Sequence, residues 1–125
     1  MKLTWIEKLR SLQSKWKKDE VVEKFINYWL EKLEPEHVAE GIRRGPEATA
    51  EWLANFLHFD NPTVRFIIML HWSEISAYLS KVENVYNVLA RKPEIKKLLD
   101  TPQGRMWLNK TVELLYWKLY HLVKG

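Results

Sequence analysis

The residues of this chain that can do metal or acid–base chemistry fall into two small groups. Glu34-x-x-His37, with Glu40 one turn on, sets carboxylate and imidazole on one helical face, as a carboxylate metal site requires. A di-iron bundle needs a second Glu-x-x-His on a facing helix, and the chain has none. Pro35 also puts the group at a helix start, where acidic residues complement the dipole. The spacing therefore reads as a helix start, with no metal ligand and no cofactor assigned.

His71 and Glu74, three apart in an apolar stretch, form the second group. A histidine oriented by a carboxylate is a general base, and this pair carries an enzyme reading. No nucleophile partners it, so no catalytic residue is assigned. A lone histidine among Val64, Ile68 and Ile75 is expected to be a buried, neutral core group. Ser73, Ser76 and Ser80 suit close approach of a neighbouring helix. The absence of cysteine excludes disulfides, thiol nucleophiles and thiolate zinc sites. The four glycines are isolated, so no phosphate-binding loop forms.

The elements that position these residues read as helices. From Asn61 to Leu79 the chain offers an N-cap, then Pro62 at the first helical position. Val64, Ile67, Ile68, His71, Trp72, Ile75, Tyr78 and Leu79 share one face. Phe66, Met69, Leu70 and Ala77 make the other side apolar as well. A helix apolar on most of its circumference is expected to be buried among others.

Upstream, Thr4-Trp5-Ile6-Glu7 is a capping box, and Trp5, Leu9, Leu12 and Trp16 form one helical stripe. Asp19 caps a helix over Glu20 to Leu33. Pro35 ends that helix or opens another through Arg44, closed by Gly45. Pro46 to Phe59 forms the next, with Trp52, Leu53, Phe56, Leu57 and Phe59 packed inward. Ser80-Lys81-Val82-Glu83 reads as a capping box, so the chain bends near Ser80 or runs on as one helix to Arg91. Pro93 and Pro102 frame a short helix, and the last helix runs from Pro102 to Val123. Ile42 to Phe59 has the outline of a helix-turn-helix, but Glu47 and Glu51 carry the wrong sign for a DNA groove.

These elements predict an all-α fold: one compact domain over residues 1–125, with five to seven helices around a central buried helix at about 62–79. Glu7, Lys8 and Arg10 break any signal-peptide core, and the longest uncharged apolar run, Phe66 to Ser73, is too short to cross a bilayer. The expected location is cytoplasmic. The excess of Glu and Lys resembles the composition of thermophilic proteins.

The net charge of +4 hides three blocks: +5 over residues 1–18, −6 over 19–60 and +5 over 61–125. Such blocks attract one another within a fold or between copies. The expected function is a non-enzymatic helical interaction or assembly module, self-associating as a homodimer or binding another protein. Leu114, Tyr116, Trp117 and Tyr120 widen the apolar arc of the last helix beyond what docking needs, and carry that contact. The alternative is a binder of nucleic acid or another anionic surface through Lys8, Arg10, Lys15, Lys17 and Lys18. An enzyme built on His71 and Glu74 stands third.

Overall fold

All five prolines stand at the first position of a helix, where the missing N–H is no loss. The computed structural model describes residues 26–124. Among them run α1 (Asn27–Leu30), α2 (Pro35–Arg44), α3 (Pro46–Phe56), α4 (Pro62–Leu70), α5 (Trp72–Leu79), α6 (Val82–Leu89), α7 (Pro93–Leu99) and α8 (Pro102–Lys124), with no strand. The fold is a compact all-α bundle.

Local chemistry sets most boundaries. The Asn61 side chain accepts from the Thr63 N–H at 2.9 Å and the Val64 N–H at 3.4 Å, capping α4. Thr101 Oγ1 accepts from the Gly104 N–H at 2.9 Å and starts α8. Gly45, at φ 106° and ψ 161°, joins α2 to α3 in a region open almost only to glycine. The expected capping box at Ser80 does not form. The Ser80 hydroxyl donates back to the Ala77 carbonyl at 2.7 Å, and Lys81 holds the N-cap position of α6 without a side-chain cap.

The 62–79 stretch is two helices. His71 sits between them at φ −115° and ψ 27°. The backbone stays bonded across the break, from the His71 N–H to the Ile67 carbonyl and from the Ile75 N–H to the His71 carbonyl. A straight helix of this length would extend roughly 27 Å; here both segments on either side of His71 pack on α8. Val64, Ile67, Ile68, Ile75 and Leu79 are all buried. The outer side of α4 is open, with Phe66, Met69 and Leu70 each more than half exposed.

The longest helix, α8, packs against α2 through α7. Trp107, Leu108, Val112, Leu115 and Leu119 face the core. Where α8 crosses α2 and α3, the Trp107 Nε1–H donates to Thr49 Oγ1 at 3.0 Å. The Thr49 hydroxyl proton is shared between the Gly41 and Gly45 carbonyls, at 3.0 and 2.8 Å. A Cβ on Gly41 would lie 2.7 Å from the Trp107 ring.

Polar ties close the bundle. The Tyr78 hydroxyl meets Asn27 Oδ1 at 2.7 Å and the Asn84 carbonyl at 3.1 Å, joining α1, α5 and α6. Lys92 Nζ donates to the Leu33 and Glu31 carbonyls just past the end of α1. The acidic and basic blocks meet inside the fold, as Glu31–Arg91, Glu34–Lys92 and Glu51–Lys118 pairs.

Two predictions follow from the α6–α7–α8 corner. A Cβ on Gly104 would lie 2.1 Å from the Leu98 carbonyl oxygen, so backbone has to move. Gly104→Ala is expected to cost about 1–3 kcal/mol with helicity retained; an unchanged melting temperature would contradict this packing. At the same corner the Lys96 hydrogen bond, and then that from the Tyr86 hydroxyl, hold the Asp100 carboxyl below its ordinary value of 3.8. A lowered carboxyl value gives stability that is present above it and lost as pH falls through it. Asp100→Asn is therefore expected to be less stable than the parent at neutral pH. The gap should close in acid-unfolding curves as pH falls below 3.8 and through the lowered value. A gap independent of pH would show that the ion pair contributes nothing.

Candidate interaction surface

The outward arc of α8 follows from the helical repeat. With Leu108, Val112, Leu115 and Leu119 on the core face, Trp117 lies nearly opposite Leu115 at about 100° per residue. Trp117 is 46% exposed, and Tyr116, Tyr120 and Leu114 are half-buried beside it. The rings form a continuous row. Trp72 of α5 tilts against Tyr116 at 5.6 Å, Tyr116 meets Trp117 edge-on at 5.3 Å, and Trp117 meets Tyr120 edge-on at 5.2 Å. Edge-to-face contacts at these spacings hold aromatic rings in fixed orientation.

Two shallow recesses flank Trp117. One, of about 340 Å³, lies toward α5 and α6 and is lined by Leu79, Val82, Val112 and Tyr116. The other, of about 240 Å³, lies toward α3 and is lined by Ala50, Leu114 and His121, with Glu47 and Lys118 at its edge. The structure thus gathers Leu114, Tyr116, Trp117 and Tyr120 into one ridge between two hollows. Met106, 72% exposed and about three turns earlier on the same side of α8, extends the strip. Its place on the last helix's outer arc is readable from the same repeat.

The other expected sites fare differently. Lys8, Arg10, Lys15, Lys17 and Lys18 lie outside the described residues, so the anion-binding set has no placement here. His71 is half-buried at the α4–α5 break, not buried in a continuous helix. The helix ends at that residue and begins again, so the ring sits at a boundary between packed segments. Glu74, also half-buried, occupies the first turn of α5.

Glu34-x-x-His37 is a capping box. The Glu34 N–H donates to His37 Nδ1 at 3.0 Å, and the Glu34 carboxylate faces the backbone N–H of His37. With Nδ1 accepting, the imidazole proton resides on Nε2. The third member, Glu40, pairs with Arg43 and Arg44. Its carboxyl is lowered first by the Arg43 hydrogen bond and further by both guanidinium charges. Among the described residues no group of three or more His, Cys, Asp or Glu is placed to hold a metal ion.

Trp52 departs from its expected inward packing. It is 36% exposed, stacked on Phe56 at 4.8 Å and tilted against His37 at 5.2 Å. The apolar stripe of α3 is wider than its contact with α8. Thr49, Ala50 and Leu53 are the buried residues of α3, and the Trp52 ring lies against His37 of α2.

No protein-family model, curated protein or solved structure matches this chain. No helix among the described residues is long and apolar enough to cross a membrane.

Glu34→Ala and His37→Ala are each expected to lower stability by about 1 kcal/mol. The double variant should lose less than the sum, because the two groups cap one another's backbone. Added zinc should leave the parent's thermal midpoint unchanged. A zinc-dependent rise that vanishes in His37→Ala would return this group to metal chemistry.

Proposed function

We propose that this chain is a non-enzymatic helical assembly module, and that it self-associates as a homodimer through the outer face of α8. The observation that carries the reading is Trp117. A large aromatic side chain, nearly half exposed and braced edge-on by two tyrosines, stands between two apolar hollows. Aromatic anchors seated in pockets dominate binding energy at protein interfaces. A ridge beside a hollow on one face is self-complementary under a two-fold axis, since each copy presents what the other receives.

Charge supports the same pairing. The rim toward α3 carries Glu47 beside Lys118 and His121, and Lys110 and Glu113 lie on the outer side of α8. A two-fold rotation brings opposite charges at such a rim into register and disfavours other orientations. A cytoplasmic location is part of this reading.

The test is solution mass. Light scattering at tens of micromolar should give a dimer. Trp117→Ala with Tyr120→Ala should return a monomer of unchanged helicity, since neither side chain belongs to the fully buried core. A parent that remains a monomer at that concentration, or a double variant that remains a dimer, would defeat the proposal.

A further inference from the structure

Between α2 and α3 a recess of about 120 Å³ opens beside Trp52 and His37. That is several times the roughly 30 Å³ share of a water molecule. We propose that this recess binds a quaternary ammonium head group.

The walls come first. Trp52 stacks on Phe56 with 17° between the planes, and the His37 ring leans on Trp52 at 5.2 Å. Neither ring is loose. His37 is pinned through Nδ1 by the Glu34 N–H, and Trp52 is backed by Phe56. An indole held in this way offers its electron-rich face to a cation at little ordering cost.

The floor is equally fixed. Thr49 lies there with its hydroxyl committed to Gly41, Gly45 and Trp107, and Gly41 lacks the Cβ that would collide with Trp107. A recess with a rigid floor and braced walls keeps its shape without a ligand.

The charge of the site selects the ligand's sign. Glu36 and Glu40 line the recess, within the acidic block of the chain. Glu40 is satisfied by Arg43 and Arg44, whereas Glu36 has no ion pair among the described residues. Arg44 lines the recess too, but its guanidinium is paired with Glu40 at 3.1 Å, which leaves Glu36 as the lining charge outside an ion pair among the described residues.

The scarcity of acceptors selects the ligand's kind. A guanidinium or primary ammonium brings several N–H donors that must be satisfied when desolvated. Here the Thr49 hydroxyl and the Glu40 carboxylate are already engaged, which leaves Glu36 alone. A quaternary ammonium has no N–H to satisfy, is weakly hydrated, and needs only aromatic faces and a nearby negative charge.

The probe is tetramethylammonium chloride, with sodium chloride at equal ionic strength as the control. Binding is read from the backbone amide resonances of Gly41 and Thr49 in the full-length protein. Saturable shifts with a dissociation constant on the order of 1 mM are expected with tetramethylammonium and not with sodium. Trp52→Ala should weaken binding about tenfold or more. Glu36→Gln should weaken it less, by an amount that shrinks as salt is added. Both positions are exposed, and circular dichroism checks that the variants remain folded. Choline and a neutral peptide bearing a trimethylated lysine, titrated in parallel, tell a free solute from a protein tail. Tighter binding of either supports the site. Equal shifts with sodium, linear shifts without saturation, or undiminished binding in folded Trp52→Ala would overturn it.

Discussion

The crossing of α2, α3 and α8 depends on one buried hydrogen bond and one missing methyl group. Trp107 donates to Thr49, Thr49 donates to the carbonyls that end α2, and Gly41 leaves the space the indole occupies. A buried indole N–H without a partner costs about 1–3 kcal/mol, so Thr49 and Trp107 fix one another's position. That contact sets the rotation of α8 about its own axis. At about 100° per residue Leu108, Val112, Leu115 and Leu119 centre the inward arc with Trp107 at its edge, and Trp117, half a turn from Leu108, faces away.

The same contact fixes α2 and α3 as a pair. Gly45 turns the chain sharply between them, and its carbonyl is tied down by Thr49. The two helices also meet directly, through the Thr49 hydroxyl on the Gly41 carbonyl and the His37 ring on Trp52, beside the recess. Among the described residues, the acidic middle block and the last basic block pair in part within the fold. Glu31, Glu34 and Glu51 reach Arg91, Lys92 and Lys118 across large sequence separations. Exposed pairs of this kind contribute little each to stability. Their effect is to disfavour arrangements that bring like blocks together.

Much of this was legible in the sequence because it is local. Every proline marks a helix start, Asn61 and Thr101 cap as their types imply, and Gly45 sits where only glycine fits. The core face of the 62–79 stretch also follows from its repeat, since Val64, Ile67, Ile68, Ile75 and Leu79 are all buried. The misreadings share one cause. The break at His71, the outward turn of Trp52 and the unformed cap at Ser80 are set by which helices lie alongside, and periodicity carries no information on that. An apolar stripe shows which residues are able to pack inward. It does not show how wide the partner surface is, and both α3 and α4 carry more apolar surface than their partners cover.

That surplus is not equivalent from place to place. On α4, Phe66, Met69 and Leu70 form an exposed patch, and none of the ring contacts among the described residues involves Phe66. On α8 the surplus is aromatic and braced edge-on, and it stands between hollows, which is the form of a surface that another macromolecule fits. Beside α3 it is concave and small, with Glu36, Glu40 and Arg44 around Trp52. Both shaped surfaces trace to the same crossing. The Trp107–Thr49 bond fixes the rotation of α8, and with it the place of Trp117 on the outer arc, and it holds Thr49 and Gly41 beside Trp52. A substitution at Thr49 would therefore disturb the two surfaces together, while one at Trp117 or at Trp52 would disturb only its own.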